Sequence, residues 1–322
     1  MDIREILEQV FDYLSFEDKI RFRMVNKQMS LCKITDLYHI DDKYKKKLTD
    51  DILRLYPHVT MLDVSYSFDI TNDGIRHMML HTLNASCNQK ITDDGIRHMM
   101  LHTLDASGNP MITDNGIRHM YTTLRVLNAS GNVMITDDGM RHMMLHALDA
   151  SGYSKITDDG IRHMYPTLRV LNVTSNKMIT DDGIRHMQLH TLYAPWSDKI
   201  TDDGIRHMQL HTLNARCNQR ITDDGIRHMM LHTLNASYNP MITDDGIRHM
   251  MPTLRVLDAE FNKNITDDGI RHMMLHTLNA SYNEKITDDG IQHMRGCLCV
   301  LNAHNNSKIT IVMRTDQDRF LV

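Results

Sequence analysis

The chain of 322 residues has one tryptophan, six prolines and five cysteines. Cys32, Cys87, Cys217, Cys297 and Cys299 are odd in number and scattered. Free thiols in a reducing compartment fit them better than a disulfide framework. Cys297 and Cys299 are too few and too close together for a metal knuckle, so no metal or cofactor is expected. Apolar runs of about 18 residues, the length a membrane helix needs, are missing. The opening MDIREILEQVFDYL alternates charged and apolar residues, unlike a signal peptide. A basic excess is missing as well. The net charge of −5 argues against a general nucleic-acid binder. No nucleophile elbow, phosphate loop or C-x-x-C pair occurs, so no catalytic residue and no enzyme activity are expected.

What is abundant is repetition. The string I-T-D/N-D/N-G begins at Ile70, Ile91, Ile112, Ile135, Ile156, Ile179, Ile200, Ile221, Ile242, Ile265 and Ile286, at spacings of 21 or 23 residues, with a decayed copy at Ile309. Short copies read R-H-M-M-L-H-T-L and long ones R-H-M-Y-P-T-L-R-V-L, so the two extra residues fall in the turn between helix and strand.

Each copy reads as a strand, a turn and a short helix. Leu127 and Ala129 alternate with Asn128 and Ser130, the period of a one-sided strand. Asn132 is expected to turn inward, where a ladder of stacked amides can bond backbone groups. Thr136 can cap a helix whose positive end favours Asp137 and Asp138. Met140 and Met143, three apart, face inward, while Arg141 and His142 face out. Burying such side chains is worth about 1.5–3 kcal/mol each before entropy. One copy cannot close its own core, so stacking is obligatory. Twelve strand positions follow, from Leu62-Asp63-Val64 to Leu301-Asn302-Ala303.

Written out, the unit L-x-x-L-x-A-x-x-N-x-x-I-T-D-D-G-I-R-H-M resembles the cysteine-containing class of leucine-rich repeat, over roughly four fifths of the chain. The resemblance implies an α/β leucine-rich-repeat solenoid, with parallel strands on a concave face and short helices on a convex one. Ala85 and Ala129 stand where that class has a third Leu, and the units are shorter than usual for it. The solenoid is assigned to residues 62–310. Residues 41–61 form a linker and N-terminal cap half-repeat, in which LTDDILRLYPHVTM reads as a first helix without its glycine. Residues 311–322 form a C-terminal cap or tail.

The first forty residues carry no repeat and no glycine. Ile3, Ile6, Leu7, Val10, Phe11 and Leu14 share one helical face. Ser15 and Asp18 form a capping-box-like start for a second helix, and a short third helix could follow Asn26-Lys27-Gln28. Glu5, Ile6, Leu7, Val10, Phe11, Tyr13, Leu14, Asp18, Val25 and Lys27 resemble the F-box consensus, in which Asp2-Ile3 replace Leu-Pro, Lys19 replaces Leu and Met29 replaces Trp. The resemblance implies a small N-terminal helical F-box-like module, residues 1–40. Its Ile6, Leu7, Val10, Phe11, Leu14 and Val25 would meet the Skp-type adaptor of an SCF cullin ubiquitin ligase. Without that role, residues 1–40 read as a helical cap over the exposed end of the repeats. The pairing of module and repeats, and the wealth of Ile, Asn, Asp, Met and Lys, are similar in style to proteins of large amoeba-infecting viruses. An intracellular location, cytoplasmic or nuclear, follows as an expectation.

Histidine is frequent: eleven residues in the R/Q-H-M position, His77 through His293, and seven in L-H-x-L. Stacked copies imply two ladders that should resist joint protonation. Their rungs run parallel rather than converging, which argues against a metal site. The repeated Asp pairs are helix-start residues, because an active site is one place and not eleven. The informative positions are those where copies differ. Tyr193 and Trp196 fall in one copy, Arg216 in the next, and Tyr238, Glu260, Phe261 and Tyr282 follow in a background of Asn, Asp and Ser. Trp, Tyr and Arg most often dominate interfaces, so these seven are the expected contacts to an unidentified target protein. The combined reading is an F-box-like substrate adaptor; the alternative is a stand-alone repeat scaffold for protein interaction.

Overall fold

The computed structural model describes Phe11, residues 14–25 and residues 33–310. Ile6, Leu7, Val10, the third helix anticipated near residue 26 and the tail at 311–322 lie outside the described residues. The chain divides into two compact units, Met1–Leu145 and His146–Val322.

In the first unit, strands β1 (Asp36–Leu37), β2 (Met61–Asp63), β3 (Thr82–Asn84), β4 (Thr103–Asp105) and β5 (Val126–Asn128) pair in chain order, all parallel. In the second, β6 (Ala147–Asp149), β7 (Val170–Asn172), β8 (Thr191–Tyr193), β9 (Thr212–Asn214), β10 (Thr233–Asn235), β11 (Val256–Asp258), β12 (Thr277–Asn279) and β13 (Val300–Asn302) do the same. Each strand is three residues long except β1, because one repeat offers a single inward residue, as at Leu213 and Leu234, flanked by two outward ones. β1 is a strand beyond the twelve expected. It pairs with Met61 and Leu62 although its sequence carries no repeat signature.

Most copies bury the same set: Leu on the strand, the following Ala, Ile of I-T, Ile of the helix, Met of R-H-M and the next Leu, as in Leu213, Ala215, Ile221, Ile226, Met229 and Leu231. The asparagine ladder forms as anticipated. Asn239 Nδ2 reaches the carbonyls of Asn218 at 2.6 Å and Ile221 at 3.0 Å, and its Oδ1 accepts from Met241 N at 3.0 Å. Three copies depart from it. Ser67 and Ser197 stand in the asparagine position, and Ser197 Oγ donates to the Val173 carbonyl. Tyr153 also replaces Asn; its ring turns out, and buried Ser154 takes the inward place, accepting from Ile156 N at 3.3 Å.

The helices are single turns. Thr222 adopts extended dihedrals at the N-cap and its hydroxyl accepts from Asp224 N, and the same cap recurs from Thr71 to Thr287. In the long copies a 3-10 turn continues the helix, at Arg118–Met120, Arg162–Met164, Arg248–Met250 and Gln292–Met294. That turn accommodates the two additional residues.

The two aspartates of I-T-D-D-G have different tasks. The second pairs with Arg three residues on, as Asp245 with Arg248 at 3.1 Å. Such exposed pairs are worth about 0.2–1 kcal/mol. The first binds the next copy: Asp223 Oδ1 accepts from Thr243 N at 2.8 Å and Oδ2 from Thr243 Oγ1 at 2.6 Å. The glycine makes room for it. A Cβ on Gly246 would overlap the Asp223 carboxylate and press the Asp223 Cα at 3.2 Å.

Candidate protein-interaction site

The residue before each ladder position, whether or not asparagine fills it, has a positive φ where the chain leaves the strand. Three copies place glycine there: Gly108, Gly131 and Gly152, at φ 59 to 70°. The other copies do not, and Trp196, Tyr238, Phe261 and Tyr282 hold φ of 58, 55, 53 and 56°. The left-handed region costs a non-glycine residue about 1–2 kcal/mol. Aromatic rings therefore occupy this position against local preference, and residues held so tend to cluster where a protein works.

The parallel register sets these rings one above another. Tyr238 and Phe261 stack with centroids 4.6 Å apart and planes at 25°, and Phe261 and Tyr282 at 4.2 Å and 14°. Each such pair is worth about 0.5–1.5 kcal/mol beyond its buried area, so two pairs offset only part of the strain at three residues and the stack adds little net stability. The Arg216 guanidinium lies over the Tyr238 ring, 4.6 Å from its centroid. Arg216 Nη1 donates to Glu260 Oε2 at 3.1 Å and to Ser237 Oγ at 3.2 Å. Partial burial works against its charge, but the bond to Glu260 outweighs it and holds the guanidinium above its ordinary pKa. Below the row, Asp258 Oδ1 accepts from Glu260 N at 3.0 Å. Burial, reinforced by the Glu260 charge, pushes the Asp258 carboxyl above the usual range.

Five of the seven anticipated contacts, Arg216, Tyr238, Glu260, Phe261 and Tyr282, thus form one row in residues 146–322. Trp196 joins it through the backbone: its N–H donates to the Arg216 carbonyl at 3.2 Å, and its side chain is 61% exposed. Tyr193 is exposed at the end of β8. No ring contact joins either residue to the stack among the described residues. His304 extends the row, its ring meeting Tyr282 edge-on at 5.6 Å. Lys263, Lys285 and Lys308 line an open groove of about 410 Å³ along Phe261 and Tyr282. Sequence reading passed over these four residues. His304 sits in the same position as Arg216 and Glu260 and could have been found by that comparison. The lysines lie in turn positions, and that of Lys285 and Lys308 holds Lys in other copies too, as at Lys90 and Lys199, so it did not stand out.

At the other end, the capping box forms: Ser15 Oγ accepts from Asp18 N at 3.2 Å and donates to Asp18 Oδ2 at 2.7 Å. It opens the helix Phe16–Val25. Of the adaptor contacts expected there, Phe11 is buried with its ring 5.7 Å from Phe22, so it packs within the chain rather than standing free. Leu14 is half-buried. Val25 is 67% exposed beside exposed Met24.

The histidine ladders are shorter than repetition alone suggests. His190, His211 and His232 stack at 4.7 Å spacings and His81 and His102 at 4.8 Å, but in the four long copies Arg125, Arg169, Arg255 and Cys299 replace His and interrupt the ladder. In three of those copies the other histidine is held by the preceding copy, as His249 Nε2 is by the Met229 carbonyl at 2.9 Å. Among the described residues, no helix is long and apolar enough to cross a membrane.

Parallel three-residue strands in chain order, single-turn helices and an asparagine ladder define the leucine-rich-repeat fold. The Leucine Rich repeat family profile matches residues 76–100 and 166–185. Among solved structures, the chain is similar to one from the yeast Rad7 and Elc1 complex, with TM-score 0.53 and 16% identity over 92% of each chain. It is also similar to one from the Drosophila Toll–Spatzle complex, with TM-score 0.55 and 15% identity over 81% of this chain and 38% of that one. An internalin from Listeria monocytogenes gives TM-score 0.52 and 21% identity over 82% and 85%. At these identities the likeness is one of fold. No curated protein matches the chain.

Proposed function

We propose that the chain is a substrate adaptor: its repeats hold a target protein at the row Trp196–Arg216–Tyr238–Glu260–Phe261–Tyr282, and residues 1–40 recruit a Skp-type adaptor of an SCF ubiquitin ligase. The observation that carries the binding half is the contrast between copies. Core and caps are nearly invariant, while adjacent outward positions carry Arg, Glu and aromatic residues, the aromatic ones in left-handed backbone. Aromatic and Arg side chains held by neighbours before a partner arrives lose little freedom on binding. Rad7, a chain similar in fold, was solved in a complex with Elc1, which fits a scaffold of this kind. The F-box-like residues and the Ser15 capping box support the recruiting half, and among the described residues exposed Val25 is its most accessible contact.

The test is capture of the full chain by an immobilised Skp-type adaptor. Retention that is lost in Leu7→Asp and in Val25→Asp supports recruitment. No retention, or retention indifferent to both substitutions, removes the ligase connection and leaves the stand-alone scaffold.

A further inference from the structure

We propose that the Phe261–Tyr282 end of the row selects an acidic peptide segment as its partner; this rests on the binding reading above and adds the chemistry of the bound chain.

The central ring, Phe261, presents its edge rather than a face. Phe261 has Tyr238 on one face and Tyr282 on the other, at 4.6 and 4.2 Å. Tyr238 is stacked on Phe261 and carries the Arg216 guanidinium over its ring at 4.6 Å. Aromatic edges carry the positive part of the ring quadrupole, and they attract carboxylate and carbonyl oxygens. A single-stranded nucleic acid binds aromatic platforms by laying bases on open ring faces. The ring at the centre of this row, Phe261, has none.

The charges beside the edges have the same sign. Lys263, Lys285 and Lys308 line the groove with one acid, Glu284, whose Oε1 accepts from Ser307 Oγ at 2.9 Å. Among the described residues, no ion pair engages any of the three lysines. By contrast, helix arginines such as Arg248 and Arg271 pair with Asp245 and Asp268. Glu260, the other carboxylate of the row, is bound to Arg216. The groove therefore offers three unengaged ammonium groups in a chain whose net charge is −5. The charges are exposed and local, so they act on a partner at contact range and weaken as salt rises.

The experiment pans the full-length protein against a random dodecamer peptide library, with a thymidine dodecanucleotide as a second probe. The expected result is enrichment of Asp and Glu in the selected peptides. Their affinity should fall at least about tenfold in the Lys285→Glu, Lys308→Glu double variant and weaken with added salt. Both lysines are exposed, and an unchanged melting temperature verifies that the variant is folded. Neutral or basic selected peptides, indifference to charge reversal, or binding of the oligonucleotide in competition with the peptides overturns the proposal. Peptides that are lost in Tyr238→Asn and Phe261→Asn but indifferent to the lysines remove the acidic class and leave the binding row standing. Selection that depends on neither set removes both.

Discussion

Thr243 shows how much one residue of the repeat does. Its hydroxyl caps its own helix by accepting from Asp245 N, while its N–H and hydroxyl both donate to Asp223 of the preceding copy. What Asp223 supplies is two acceptor oxygens rather than charge. Asn72 serves Thr92 in the same way, accepting from its N–H at 2.9 Å and donating to its hydroxyl at 2.8 Å. Asp223→Asn should therefore leave denaturant stability within about 0.5 kcal/mol, as at a tolerant surface site. Asp223→Ala, which orphans the Thr243 N–H, should cost about 1–3 kcal/mol. Equal losses for the two would show that charge matters. Gly246 gives a second check. Replacing a helix glycine by alanine ordinarily gains about 1 kcal/mol. Here the added methyl meets Asp223, so urea unfolding of Gly246→Ala should show a loss of about 1–3 kcal/mol. A gain would mean that the two copies are not in close contact at this point.

At the scale of elements, strand, cap and helix were legible because each is signalled within one copy. Leu alternation marks the strand, and Thr-Asp-Asp the helix start. What joins copies was less legible. The partner of Asp223 is 20 residues away, and nothing local distinguishes a carboxylate that binds the next copy from one that faces water. β1 was missed because Asp36–Leu37 carries no repeat pattern and is defined only by its pairing with Met61–Leu62. The candidate site divided along the same line. Its residue types stood out in sequence, while the positive φ that makes aromatic rings unusual there appeared only in the backbone. The histidine ladder was legible as repetition, but its interruptions depend on Arg or Cys replacing His in the long copies. In the run His190, His211 and His232, each Nδ1 lies 3.2–3.3 Å from the hydroxyl of the next threonine. Burial, and then the charges of His190 and His232, hold the His211 pKa below its ordinary value. A depressed folded pKa means that the unfolded chain binds more protons as pH falls. Stability is complete above the unfolded histidine value of about 6.5 and declines below it. The melting temperature should fall from pH 7 to pH 5, and less so in His211→Gln. A profile that is flat, or the same in both proteins, would contradict this account of the stack.

At the scale of the whole molecule, an invariant frame carries a variable row. Among the nine buried ladder asparagines and the repeated Leu, Ile and Met core, substitution is costly everywhere, because each residue meets neighbouring copies. The outward positions have no such constraint, so they can diverge toward a partner without disturbing the stack. Their divergence in residues 193–304 is the reason for assigning binding to that face, and the account requires that these side chains be presented rather than packed. One comparison of melting temperatures decides it. The triple variant Tyr238→Asn, Phe261→Asn, Tyr282→Asn loses stacking and sheds left-handed strain, since Asn tolerates that region well and Asn305 already occupies it at φ 52°. The single variant Leu257→Ala opens a cavity in the core at a cost of about 2–5 kcal/mol. The account predicts that the triple variant melts closer to the unaltered protein than Leu257→Ala does. A triple variant that melts below Leu257→Ala would make the aromatic row part of the fold, and the binding surface would have to be sought elsewhere.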